Sequence, residues 1–177
     1  LEVFLRLARF RRRFPTLREW EGPEPASWPR VSVIVPSRNE AGQVEKATRS
    51  LLGQDYPDLE IVAIDDRSED ATGAILDGLA AEDPRLTVVH VRELPEGWLG
   101  KNHAVRQGAA VARGEWLLFT DGDVIFDPGA LRKSVAFAQT HDLGHFVALP
   151  HFVAEGFLER SFVATFVLHF ATAVDIS

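Results

Sequence analysis

The 177-residue chain has no cysteine, no methionine and a single tyrosine. Without cysteine there is no disulfide, no thiolate nucleophile and no Cys-ligated zinc, a composition that fits a reducing compartment. Methionine is missing even at position 1, where Leu1 stands, so the sequence is expected to be a piece of a longer protein. Phosphate-binding glycine signatures are missing as well. No Gly-x-Gly-x-x-Gly follows the first apolar run, and no Gly-x-x-x-x-Gly-Lys-Ser/Thr occurs anywhere, which excludes a dinucleotide turn and a P-loop. What is present, 46% hydrophobic and 25% charged residues, is globular composition rather than that of a disordered chain.

The net charge of −7 is unevenly placed. Residues 1–20 carry six arginines against Glu2 and Glu19, or 6 − 2 = +4, leaving −7 − 4 = −11 on the other 157 residues. An acidic body excludes a nucleic-acid surface, which needs clustered Lys and Arg. A basic arm on such a body points instead to an anionic membrane surface. Residues 1–20 read as a basic amphipathic or juxtamembrane helix, with Leu1, Phe4, Leu5 and Ala8 at helical spacing before Arg11-Arg12-Arg13. Residues 21–30, with Pro23, Pro25 and Pro29, read as a linker. The main domain is expected over 31–155, and 156–177 as an apolar helix that lies in the membrane interface or begins a further part. Phe162 to Val174 is shorter than the ~20 apolar residues a span requires.

Within the main domain, strands and helices alternate. Strands are predicted at 31–35 (ended by Pro36), 59–64, 86–91, 116–120 and 146–149. Helices are predicted from about Gln43, from Ala71 behind a Ser68 or Asp70 cap, over 101–112, and from the Asp127-Pro128 cap signal. In the helix over 101–112, the small Ala104, Gly108 and Ala112 allow close approach to a sheet. This rhythm predicts an α/β fold, a doubly wound, mostly parallel sheet with flanking helices.

Ligands of such sheets sit at the carboxyl ends of the strands. There the sequence delivers Pro36-Ser37-Arg38-Asn39-Glu40, then Asp65-Asp66-Arg67-Ser68, then Asp121-Gly122-Asp123. One acidic pair alone is ordinarily a cap or a solvated turn; three clusters at one edge indicate a site. With no phosphate loop, phosphate must be met through a metal. Mg²⁺ or Mn²⁺ takes one or two carboxylates plus substrate phosphate oxygens, which suits Asp121 and Asp123. Asp65 or Asp66 is placed to accept hydrogen bonds from a ribose hydroxyl or a base N–H, and Lys101 offers a cation to a diphosphate.

The segments 31–40, 65–72 and Gly114-Glu115 followed by 120–123 resemble, in order and spacing, the family 2 glycosyltransferases with the GT-A, Rossmann-like fold, over roughly Val31 to Phe170. The resemblance implies a donor pocket in which Pro36, Arg38, Glu40 and Asp66 line the nucleoside, with Asn39, Asp65 and Lys101 completing the donor-binding set. Asp121 approaches the ribose, and Asp123 holds a divalent cation bridging the donor diphosphate. It further implies inverting transfer from a nucleotide-diphosphate sugar, a UDP-sugar, to a hydroxyl acceptor. Gly97-Trp98-Leu99-Gly100-Lys101 is similar to the membrane-bound branch acting on hopanoids, carotenoids or polyprenols, which gives a lipid acceptor and a place on the cytoplasmic face of the membrane, the bacterial inner membrane. Leu149-Pro150-His151-Phe152 with Phe157-Leu158-Glu159-Arg160 is similar to a stretch of cellulose-type synthases.

Two departures stand out. Arg38 occupies a position often aromatic in the family. No Glu-Asp pair follows Asp123, so the general base is expected beyond Ser177. The alternatives are a phosphatase of the haloacid dehalogenase type, to which Asp121-Gly122-Asp123-Val124 conforms, and a non-catalytic nucleotide-sugar-binding membrane module. The phosphatase needs a downstream lysine and a second acidic pair, and only Lys133 follows. An EF-hand is excluded by Phe126 and Arg132 at the positions that need Gly and Glu. His141 and His145 straddle a helix end and are assigned to the surface, while His151 stays open as a site residue.

Overall fold

The computed structural model describes residues 16–148, 150–151, 156–159, 161–163 and 165. The chain runs β1 (Val31–Ser37), α1 (Val44–Leu52), β2 (Leu59–Asp66), α2 (Thr72–Glu82), β3 (Leu86–Val91), α3 (Gly100–Val111), β4 (Trp116–Phe119) and α4 (Ala130–Thr140). The strands form one sheet in the order β3-β2-β1-β4, every pair parallel. β1 and β2 are the central strands, and both read as near-continuous Val, Ile and Ala because each of their faces is covered by helices. On one face Val33, Val35, Ile61 and Ala63 pack with Leu51 of α1, Leu76 of α2, and Leu131 and Val135 of α4. On the other, Ile34, Val62 and Ile64 pack with Ala104 of α3. Small residues set how closely α3 lies: a Cβ at Gly108 would stand 2.6 Å from Ile64 Cδ1 and 2.8 Å from Ile34 Cγ2.

The chain steps outward from β1 to β3, then crosses back to the far side of β1. That reversal puts the topological switch point between β1 and β4, where open α/β sheets leave a crevice at the carboxyl edge.

Several boundaries differ from the sequence expectation. β1 does not end at Pro36 but runs through it to Ser37, in register with Asp65 of β2. The even-numbered positions around β1 bond toward β4: Arg30 O accepts from Trp116 N–H, and Ile34 O from Thr120 N–H. The next rung needs an N–H on Pro36, which proline lacks. β4 therefore stops at Phe119 instead of 120, while the β1–β2 ladder, built from the odd positions, continues. β2 likewise extends past Ile64 and incorporates Asp65 and Asp66. α4 begins at Ala130, not at Asp127-Pro128, because Gly129 adopts φ 76° and starts the helix afresh. Asp127 is engaged elsewhere, its carboxylate with Arg18 and its carbonyl with Ala130 N–H and the Gln54 amide.

No strand forms over 146–148 among the described residues. Phe146 turns instead to Phe137 of α4, ring centroids 6.0 Å apart. The proline-containing stretch is laid on the domain. Trp28 meets Tyr56 edge-on under the Arg132 guanidinium, and Tyr56 Oη donates to the Pro29 carbonyl at 2.6 Å. Residues 1–15 and most of the apolar segment 162–174 lie outside the described residues. No helix among those described is long and apolar enough to cross a membrane.

Candidate active site

The three acidic segments of the sequence meet at the carboxyl edge of the sheet, and side chain-to-backbone hydrogen bonds stitch two of them together. Asn39, at φ 54°, donates its N–H to Ser68 Oγ (3.1 Å) and accepts from Glu69 N–H through its side-chain oxygen (2.8 Å). Glu40 N–H donates to Thr72 Oγ1, and Ala41 N–H to Asp70 Oδ2. Asp70 also takes the Thr72 N–H and hydroxyl at the start of α2. These bonds lower its pKa, the Thr72 hydroxyl contributing most. The carbonyl of Glu40 receives Gln43 and Val44 N–H, so the same residue opens α1.

The strand pleat sorts the adjacent carboxylates of β2 to opposite faces. Asp65 points to the α2 side, where Oδ1 accepts Ser68 N–H and Oδ2 lies 3.0 Å from His90 Nδ1. Burial alone would raise its pKa, but the hydrogen bonds from Ser68 and His90 outweigh burial and bring it below the ordinary carboxylate value. Asp66 points to the α3 side, is 5% exposed, and is gripped by the Arg67 guanidinium through both oxygens at 2.8 and 3.0 Å. A Cβ at Gly100 would stand 2.9 Å from Asp66 Oδ2, so the first residue of α3 leaves that carboxylate room. The sequence left open which of the two meets a ligand. Internal partners take both oxygens of each, Ser68 and His90 those of Asp65 and Arg67 those of Asp66; Asp66 is the one that stands beside the glycine opening α3.

Beyond β4 the chain turns at Asp121-Gly122-Asp123. Gly122 is pressed against the end of β1: a Cβ there would overlap Ser37 Oγ and stand 3.1 Å from Ser37 Cβ. The flanking carboxylates are exposed. Asp121 pairs with the Lys101 ammonium, and Asp123 makes no ion pair among the described residues. Arg38 is exposed and Pro36 half-buried beside this turn. The loop before α3 is pinned by Trp98, whose ring lies 5.0 Å from the Arg106 guanidinium and 5.5 Å from the His103 ring.

A divalent cation fits the donor set here. Asp121 already faces a positive charge, and the small residue between the two aspartates keeps bulk away. No cluster of three or more acidic or imidazole ligands exists among the described residues; Mg²⁺ ordinarily takes one or two carboxylates plus substrate phosphate oxygens. His141, His145 and His151 are exposed.

The sequence reading passed over a second group of residues. Glu60, 3% exposed in β2, accepts Ser32 Oγ–H at 2.5 Å, Arg113 N–H at 2.8 Å and Arg113 Nε–H at 2.7 Å; Ser32 Oγ in turn accepts Gly114 N–H. Burial pushes the Glu60 pKa up, yet these donors outweigh it and the net shift is downward. This knot fixes the Gly114 turn that feeds β4. Its signal was a carboxylate between Leu59 and Ile61 in a strand covered on both faces. His90 was missed as well, although β-register sets it directly opposite Asp65.

Comparison with known proteins decides the family. Residues 32–166 match the family description Glycosyl transferase family 2. The chain belongs to that family. Family 2 relatives include the GalNAc(5)-diNAcBac-PP-undecaprenol beta-1,3-glucosyltransferase of Campylobacter jejuni, 38% identical over 104 residues, which cover 58% of this chain and 32% of the relative. The 4,4'-diaponeurosporenoate glycosyltransferase of Staphylococcus aureus is 32% identical over 109 residues, 61% of this chain and 26% of that one. Among solved structures, mannosyltransferase PcManGT from Pyrobaculum calidifontis, in complex with GDP-Man and Mn²⁺, superposes with a TM-score of 0.60 at 30% identity over 77% of this chain and 41% of its own. S. aureus TarS with UDP-GlcNAc gives 0.53 at 28% identity, over 68% and 37%. This family 2 chain spans about a third of the length of the curated relatives it matches. The phosphatase alternative loses its lysine, because Lys133 donates to the Arg18 carbonyl at 2.6 Å from α4.

Proposed function

We propose that the protein transfers a sugar from a nucleotide-diphosphate sugar, a UDP-sugar, to a hydroxyl acceptor on a lipid, with inversion at the anomeric carbon. The observation that carries this reading is the convergence of three segments, 36–40, 65–72 and 121–123, at the switch-point edge, two of them hydrogen-bonded to each other. Family membership and the nucleotide sugars bound by PcManGT and TarS support the donor class. The lipid acceptor takes its support from the undecaprenol-linked substrate in the name of the C. jejuni relative and from the basic 1–20 segment, which suits the cytoplasmic face of a membrane.

Asp66 receives the nucleoside through N–H or O–H donors, its carboxylate orientation set by Arg67, with Pro36, Arg38 and Glu40 along the same wall. Asn39 and Asp65 act behind that wall, holding the two loops to each other. Lys101 leaves Asp121 to meet the diphosphate, and Asp121 then serves the ribose side. A Mg²⁺ or Mn²⁺ ion held by Asp123 and Asp121 would offset the negative charge that grows on the departing diphosphate.

Calorimetric titration of UDP into the 177-residue chain tests the assignment. With Mn²⁺ present binding is expected, and EDTA or Asp123→Ala is expected to weaken it at least tenfold. Equal affinity in Mn²⁺ and EDTA sinks the metal role. Asp66→Ala is expected to weaken UDP and uridine alike, and an unchanged uridine affinity removes Asp66 from the nucleoside.

A further inference from the structure

One half-buried group in the neighbourhood of the site has no part in the scheme above. His90 lies on β3, the strand farthest from the Asp121 turn in the order β3-β2-β1-β4, yet both its ring nitrogens are engaged, Nδ1 with Asp65 Oδ2 and Nε2 with Asp77 Oδ1 of α2, each at 3.0 Å. The space for this bridge is built in: a Cβ at Gly73 would come 2.6 Å from Asp65 Oδ2 and 3.4 Å from His90 Cε1. Beyond Asp65 the bonds run on in series. Its other oxygen holds Ser68 N–H, Ser68 Oγ holds Asn39 N–H, and Asn39 Oδ1 holds Glu69 N–H. The series thus ends on the loops after β1 and β2, on either side of Arg38 and Asp66.

We propose that His90 is a positioning residue for the nucleotide: bridging Asp77 and Asp65, it fixes the Asp65 carboxylate that orders the Ser68–Asn39 crosslink at the donor site. This rests on the donor reading given above. An imidazolium donates to both carboxylates at once, whereas a neutral ring donates from one nitrogen only and sets a lone pair against the other carboxylate. The charged groups facing His90 are Asp65 from β2 and Asp77 from α2, both acidic, and their hydrogen bonds, Asp65 first, raise its pKa above the ordinary histidine value. Nucleotide affinity is therefore expected to weaken as His90 loses its proton.

The test is calorimetry of UDP with the whole chain in Mn²⁺ from pH 5.5 to 8.5, for the native protein and for His90→Gln. UDP titrates in this range too, but identically for both proteins, so the ratio of dissociation constants isolates the histidine. His90→Gln is expected to bind about fivefold more weakly than native at low pH, the equivalent of one hydrogen bond. The gap is expected to close as His90, followed by its ring proton resonances, titrates. Asp77→Asn, which leaves the Asp65 contact in place, is expected to move that midpoint to lower pH in both resonance and affinity. A ratio that does not change with pH, or an affinity midpoint unmoved in Asp77→Asn, overturns the positioning role. The second arm stands even where His90→Gln does not fold. A native chain that binds UDP at no pH overturns the donor reading itself, and this inference with it.

Discussion

Gly108 and Gly78 are both helical glycines, and the same substitution is expected to act in opposite directions at the two. Replacing glycine by alanine in a helix interior gains about 1 kcal/mol of intrinsic propensity. At Gly78, exposed on α2 with nothing within 4 Å of the would-be Cβ, that gain is the whole effect. At Gly108 the new methyl would sit 2.6, 2.8 and 3.2 Å from the side chains of Ile64 and Ile34. Ordinary carbon contacts are near 3.5–4.0 Å. Both isoleucines have 0% exposure, so neither can swing aside, and α3 must lift from the sheet. Overpacking of this kind costs about 1–3 kcal/mol, which exceeds the propensity gain for most of its range. Gly78→Ala is thus expected to stabilise by ~1 kcal/mol and Gly108→Ala to destabilise by ~1 kcal/mol. For a chain of this size that is a rise and a fall in Tm of about 2–4 °C each. Urea denaturation and thermal melts measured side by side decide it. Because α3 carries Gly100 and Lys101, Gly108→Ala is also expected to weaken UDP binding while Gly78→Ala does not. If Gly108→Ala stabilises as much as Gly78→Ala, the close seat of α3 on β1 and β2 is wrong.

Gly122→Ala is expected to leave Tm within a few degrees but to weaken UDP–Mn²⁺ binding at least tenfold, since the methyl overlaps Ser37 Oγ and drives the Asp121–Asp123 turn off β1. Ser37→Gly in the same chain is expected to restore part of the loss, and calorimetry of the two variants and their double reads it. Glu60→Gln puts an amide donor against the Arg113 backbone N–H or guanidinium and is expected to cost about 1–2 kcal/mol, since the Arg113 side chain is itself exposed and can turn to water, seen as a fall in the urea midpoint; a change under ~0.5 kcal/mol removes the knot from the stability account. The Asp65–His90 pair gives stability a pH window. Asp65, depressed from its ordinary 3.8, contributes fully above that value and loses its contribution as pH falls through its lowered pKa. His90, raised from its ordinary 6.5, contributes fully below that value and loses its contribution as pH rises through its elevated pKa. The Tm difference between native and His90→Gln is therefore expected to be largest between about pH 4 and 6.5 and to shrink above. A difference that grows toward pH 8 contradicts the sign.

Strands that bury both faces announce themselves as runs of Val, Ile and Leu, and β1 and β2 were legible for that reason. Their ends were harder to read, because a strand ends where its partner's hydrogen bonds end and not where its own residues turn polar. Asp65 and Asp66 look like a turn in one dimension, and the register with β3, joined at Asp65 by that with β1, keeps them in the sheet. Pro36 looks like a terminator, yet it interrupts one ladder and leaves the other intact. The acidic clusters could be assigned to one edge from strand polarity alone. The placement of the β2 carboxylates on opposite faces of the sheet required the pleat, and the two hydrogen bonds of His90 required α2 packed over it. The strand expected at 146–149 does not form over the described residues 146–148 for a different cause: Phe146 found an aromatic partner on α4, and tertiary packing overrode β-propensity.

The proton that Pro36 lacks also sets the dynamics of the site. Since the ladder halts at Ile34, no backbone hydrogen bond among the described residues uses the N–H of Asp121, Gly122 or Asp123. Among the described residues the turn is held by contact with Ser37, by the Lys101 side chain and by its own Val124 N–H to Asp121 carbonyl bond. Opening it breaks no rung of the sheet, whereas moving Asp66 would take apart β2. In the proposed donor site, the wall assigned to the nucleoside therefore belongs to the sheet, and the turn assigned to the diphosphate can open locally without breaking it.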